Sequence, residues 1–180
     1  MKKIIPTFSE YYNLLEKNQE GQELFDDIIN DIKKIQNLSS DDVFKLNDNQ
    51  ISRILIEHSD DALKNKSIKD RAKTLVHHQI AFILGENPEL INFFKRQAKK
   101  FDRNDIADVI LPQPQLIDFF NKKEIERMNI YSVNNILIHN PQLFDYFKNS
   151  VKFMSDDDID YIIKKQPKLK SKIKDAKEDR

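Results

Sequence analysis

Four prolines, Pro88, Pro114, Pro141 and Pro167, stand 26, 27 and 26 residues apart, and each lies in a similar stretch. The four stretches read ILGENPELINFF at 83–94, VILPQPQLIDFF at 109–120, ILIHNPQLFDYF at 136–147 and IIKKQPKLKSKI at 162–173. Counting back from each proline, the eighth, fifth and fourth positions are apolar: Ile80, Ile83, Leu84; Ile106, Val109, Ile110; Val133, Ile136, Leu137; and Ile159, Ile162, Ile163. Spacing of i, i+3, i+4 puts such residues on one face of a helix. Counting forward, the second position is Leu90, Leu116, Leu143 or Leu169 and the sixth is Phe94, Phe120, Phe147 or Ile173. That i, i+4 pair predicts a second amphipathic helix, joined at the third position by Ile91, Ile117 and Phe144. The last copy carries Lys170 there, as a terminal repeat with an exposed outer face would.

The proline explains the corner between the two helices. It lacks an N–H and disfavours helix in the residue before it, so it ends the first helix, and its fixed φ suits the first turn of the next. The residue before it is always an amide, Asn87, Gln113, Asn140 or Gln166. A capping role is expected for these amides; the alternative is a row along one edge that binds a partner. Ile51, Ile54 and Leu55 fit the same register if Ser59 stands in for the proline, which adds a fifth copy. Helix caps are expected at Ser132, at Ser155 and at Asn47 or Asp48.

A period of about 26 residues holds only two short helices, and one such hairpin cannot bury its apolar face alone. The expected fold is all-α, a short α-solenoid of stacked hairpins over about 48–75, 76–102, 103–128, 129–154 and 155–180, in one continuous domain with about ten or eleven helices. Residues 1–47 read as a helical cap. There, Ser9 caps a helix with Tyr11, Leu14 and Leu15, Gly21 interrupts it, and a second helix runs over 22–36. GQELFDDI in that helix is similar to NPQLFDYF, which suggests a degenerate repeat. Ser39-Ser40-Asp41-Asp42 starts a short helix through Leu46. Only two glycines in 180 residues agree with helices and short joints, and argue against a turn-rich β fold.

Chemistry-bearing patterns are sparse. The chain has no cysteine, hence no disulfide, thiolate nucleophile or Cys-based metal site, which fits a reducing, cytoplasmic setting. Two glycines leave no phosphate-cradling loop, and neither a Gly-x-Ser-x-Gly elbow nor a His-Glu-x-x-His pair is present. His58, His77, His78 and His139 read as surface or helix-end histidines, and adjacent His77 and His78 point about 100° apart on a helix. Asp156, Asp157, Asp158 and Asp160 lack the alternating ligands and glycine of a calcium loop and read as helix-start acids. No catalytic, cofactor or metal site is expected, and the chain reads as no enzyme. The basic opening Met1-Lys2-Lys3 has no apolar region behind it, and no apolar run approaches the ~20 residues of a membrane span.

With 30 basic and 30 acidic residues the chain is neutral, which predicts no strong pull toward nucleic acid or membranes. Locally the balance shifts: residues 51–100 hold 10 basic and 6 acidic residues, and residues 1–50 hold 6 and 10. Lys95, Arg96, Lys99 and Lys100 form one basic cluster, and Lys164, Lys165, Lys168, Lys170, Lys172 and Lys174 another. The seventh position after each proline reads Lys95, Asn121, Lys148 and Lys174, a candidate ridge for phosphates or, more simply, a solvated face.

The pattern Ile-x-x-Φ-Φ-x-x-x-Pro-x-Leu (Φ, apolar), as in IAFILGENPEL, IADVILPQPQL, VNNILIHNPQL and IDYIIKKQPKL, resembles the repeat signature of mitochondrial transcription termination factors. That resemblance implies a helical-repeat protein that binds nucleic acid. It covers about half the chain. The period here is shorter, the chain is not basic overall, and no functional residue is carried over.

The function expected from these readings is a non-catalytic binding module that presents a groove or face to a protein partner, with Lys95, Arg96, Lys99, Lys148, Lys164, Lys165 and Lys174 as candidate contacts. The alternative is nucleic-acid binding along the lysine ridge. A Lys/Asn/Ile-rich usage suits a bacterial or viral effector or accessory factor, exported without a cleavable signal peptide.

Overall fold

The structure, a computed structural model, describes residues 19–178; the Ser9 cap and the helix of Tyr11, Leu14 and Leu15 lie outside them. Among the described residues every regular element is helical and there is no strand. The chain divides into two compact units, one ending at Gln79 and the other beginning at Ile80.

The first unit holds α1 (Gln19–Ile28), α2 (Ile32–Asn37), α3 (Ser40–Lys45), α4 (Asp48–Ala62) and α5 (Lys66–Ala72). Neighbours two apart pack on one another, α1 with α3, α3 with α5 and α2 with α4. The expected long helix over 22–36 is two helices, because Asp31 leaves helical torsions and its carboxylate accepts from the N–H groups of Lys33 and Lys34. Gly21 does not interrupt a helix. It is a buried residue within α1, and a Cβ there would lie 2.5 Å from the Lys45 carbonyl oxygen, so the missing side chain lets α1 and the end of α3 approach. Gln50 reinforces this contact by donating from Nε2 to the Gly21 carbonyl at 3.2 Å.

α6 (His77–Glu86) leads into the second unit. It is followed by η1 (Pro88–Leu90), α7 (Ile91–Ala98), α8 (Arg103–Ile110), η2 (Pro114–Phe119), α9 (Lys122–Glu126), α10 (Ile130–His139), η3 (Pro141–Leu143), α11 (Phe144–Lys152), α12 (Asp156–Lys165), η4 (Pro167–Leu169) and α13 (Lys170–Glu178). In this unit α10 packs between α8 and α12, and α11 packs between α9 and α13. First helices thus neighbour first helices, and second helices neighbour second helices. The apolar repeat positions named above are buried in every copy, except that Ile163, in the last one, is half-buried; Lys170, at the third position of that copy, is exposed. Each fully buried Ile, Leu or Phe contributes about 1.5–3 kcal/mol relative to exposure, so these positions carry the core.

The described residues contain thirteen α-helices and four 3-10 turns, more than the ten or eleven helices expected. The five expected hairpins supply ten of these, α4 to α13, and three more precede them, α1 and α2 on either side of the break at Asp31 and then α3. Among the expected caps, Asn47 and Ser155 do cap α4 and α12. Ser132 does not cap α10. Asn129 does so, accepting from the Ser132 N–H at 2.8 Å.

Each proline is the first residue of a 3-10 turn, η1 to η4. The residue before it serves both helices with its backbone. The N–H groups of Asn87, Gln113, Asn140 and Gln166 close the first helix on Ile83, Val109, Ile136 and Ile162 at 2.6–2.9 Å, and their carbonyls accept from the N–H of Leu90, Leu116, Leu143 and Leu169 at 3.0–3.3 Å. Their side chains form no cap, contrary to the expected role. Three of them reach back to the preceding hairpin instead. Gln113 donates to the Gly85 carbonyl (2.6 Å), Asn140 to Leu111 (2.7 Å) and Gln166 to Ile138 (2.5 Å). A helix end leaves carbonyls without intrahelical partners, and these amides supply donors to the ends of α6, α8 and α10. These bonds draw on the amide nitrogens of Gln113, Asn140 and Gln166 within the fold itself.

The corner at His58 follows the same plan without a proline. His58 breaks α4 with φ −139° and ψ 40°, and its Nε2 lies 2.6 Å from the Ile29 carbonyl oxygen, 29 residues back. Asn65 does comparable work at the start of α5: it caps that helix while its amide group donates to the carbonyls of Ile35, Gln36 and Leu38.

Candidate binding groove

One hairpin of the second unit departs from the others. In its second half the 3-10 turn η2 runs on to Phe119, and Phe120 then turns fully extended at φ −97° and ψ 168°. Asn121 restarts the chain as the cap of α9, accepting from the Lys123 N–H at 3.0 Å. The hairpins on either side continue smoothly from their 3-10 turns into α7 and α11.

Beside this break lies a groove of about 750 Å³ between η2–α9 and α11. Ile117, Phe120 and Ile125 form its apolar floor. Its rim carries Asp118, Glu126 and Asp145 against Lys122 and Lys148, with Tyr146 and Asn149 beside them. The Tyr146 hydroxyl donates to Asp118 Oδ1 at 2.5 Å, and this bond to a carboxylate holds the phenol above its ordinary pKa. It ties α11 to η2 across the groove while leaving the ring 39% exposed. Asp145 faces Lys172 of α13 at 3.6 Å, and the same ammonium lies 5.6 Å from the Phe144 ring centroid.

Of the residues singled out in the sequence, the groove takes Lys148 alone. Lys95 and Arg96 lie exposed on α7, with Lys99 just after it; Lys164 and Lys165 end α12, a first helix, and Lys174 lies on α13. The seventh-position series keeps its register on α7, α11 and α13 and is interrupted by the Asn121 cap. Of these cations Lys174 pairs with Glu178 (3.7 Å), and acids also stand beside neighbouring lysines, Glu126 by Lys122 (4.0 Å) and Asp156 by Lys177 (3.9 Å). Of the other groove residues, the periodicity marks only Ile117 and Phe120, and marks them as core; the rest lie outside the apolar positions that define the repeat. The signal that marks the site is Asn121-x-x-Glu124, a helix-start pattern where the repeat calls for an uninterrupted helix.

No protein-family model, curated protein or solved structure matches the chain.

In the first unit, Asn47, Asp48, Asn49, Arg71, Val76, His78 and Gln79 line a smaller depression of about 500 Å³. Arg71 spans it to Asp48 at 2.5 Å. Among the described residues no group of three or more acids and histidines is placed to hold a metal ion, and no helix is long and apolar enough to cross a membrane.

Proposed function

We propose that the chain is a non-catalytic binding module whose hairpins are turns of a short α-solenoid, and that it takes a segment of a protein partner in the groove beside the broken repeat. The observation that carries this reading is the break at Phe120. A repeat that otherwise follows one plan has its second half split there into a 3-10 turn and a short helix, and the site beside it has an apolar floor, a half-exposed tyrosine and a rim of both charge signs. Tyrosine anchors with mixed polar rims suit protein surfaces, and the neutral net charge favours no polyanion. A role as a bacterial effector or accessory factor, acting in a reducing compartment, is compatible with this reading.

The test begins with proteins captured from the source cell and continues with one purified partner titrated against groove variants. Tyr146→Ala is expected to weaken binding about 30-fold or more, as loss of a hot-spot tyrosine does; Lys148→Glu is expected to act in the same direction. Unchanged affinity in both variants would count decisively against the groove. The lysine-ridge alternative predicts instead that a mixed-sequence oligonucleotide binds in low salt and is lost in the Lys95→Glu, Lys148→Glu, Lys174→Glu triple variant.

A further inference from the structure

The five corners share one backbone shape and differ in what enforces it. Asn87, Gln113, Asn140 and Gln166 lie at φ −127° to −132° and ψ 63° to 83°. Helical torsions are disfavoured there because the following proline ring would clash. His58 has left helical torsions too, yet Ser59 follows it, so no such clash bars the residues from 48 to 62 from forming one straight helix. Local sterics therefore leave this corner open, and tertiary contacts hold it: the imidazole on the Ile29 carbonyl and the burial of Ala62 beyond the kink.

We propose that the His58–Ser59 corner is a convertible joint in the first unit. In the kinked state His58 Nε2 donates to Ile29. In a minor state His58 regains helical torsions, that hydrogen bond breaks, and residues 59–63 leave their packing. A partner that prefers either state shifts the balance between them, because a ligand moves an equilibrium by its differential affinity. The four proline corners have no such second state.

Amide hydrogen exchange of the full chain tests this, read at residues 60–63, where the Leu63 N–H bonds the Ser59 carbonyl at 2.9 Å. Ser59→Pro, which gives this corner the later ones' lock, is expected to slow exchange there at least threefold. His58→Ala is expected to speed it about tenfold, the equivalent of one net hydrogen bond, and His58→Ala/Ser59→Pro to return it near the wild-type rate. Asn140→Ala, which removes the matching side-chain bond at a proline corner, is expected to leave exchange at residues 142–146 within about threefold of wild type, because the proline remains. The joint is overturned if Ser59→Pro leaves residues 60–63 exchanging as in wild type, or if Asn140→Ala loosens its corner as much as His58→Ala does. If His58→Ala unfolds the unit, the Ser59→Pro variant alone decides.

Discussion

Single residues decide how closely the short helices meet, and the two glycines make opposite cases. A methyl group on Gly21 would strike the Lys45 carbonyl at 2.5 Å, a backbone atom that cannot turn aside. Gly21→Ala should destabilise the first unit by about 1–3 kcal/mol, the usual cost of overpacking. At Gly85 an added Cβ meets Pro112 Cγ at 3.4 Å, near ordinary contact, within a helix. Gly85→Ala should be neutral or stabilising by up to about 1 kcal/mol, since alanine is the better helix former. Urea denaturation of both variants checks the contrast. The tertiary bonds of the buried Asn140 side chain to the Leu111 and Ile110 carbonyls belong to the same scale. These side-chain roles were not legible in the sequence. An amide before proline looks like a local cap, and only the stacking register, which no single repeat encodes, brings it to a carbonyl 28 or 29 residues back.

At the scale of elements the apolar register was legible because period and burial are the same information. Ile80, Ile83 and Leu84, or Leu143, Phe144 and Phe147, are spaced as a buried helical face requires, and all are buried. The two helix breaks were harder to foresee, since apolar spacing runs through them. At 22–36 the run of Phe25, Ile28, Ile29 and Ile35 continues across Asp31, yet its carboxylate wins locally by satisfying two N–H groups. At Phe120 the sixth-position phenylalanine keeps its buried place while the helix around it is lost. The groove exists because of that substitution of 3-10 turn and restart for helix. Asn121→Ala should therefore lower the melting temperature by an amount equivalent to about 1 kcal/mol, through loss of the α9 cap. It should also weaken partner binding, if the groove's wall depends on where α9 begins.

For the whole molecule, the charge pattern sets a response to pH. The carboxylates of Asp42 and Asp158 are held below the ordinary range chiefly by hydrogen bonds from the capping serines Ser39 and Ser155. Asp61 is lowered chiefly by its bond from Lys64. Each such group is depressed in the folded state, so its contribution is present above the unfolded value of about 3.9 and is lost as pH falls through the folded one. The urea midpoint should drop as pH is taken from 5 toward 2, and Asp42→Asn with Asp158→Asn should flatten part of that slope. A second property of the chain lies in the direction of its tertiary donors. Gln113, Asn140 and Gln166, and likewise Gln50 and Asn65, give their amide hydrogens to carbonyls that precede them by 27 to 30 residues. During synthesis from the N-terminus, every acceptor among them is made before its donor. Each hairpin then docks onto a template already in place, and no completed hairpin waits with a buried amide for a partner yet to be translated.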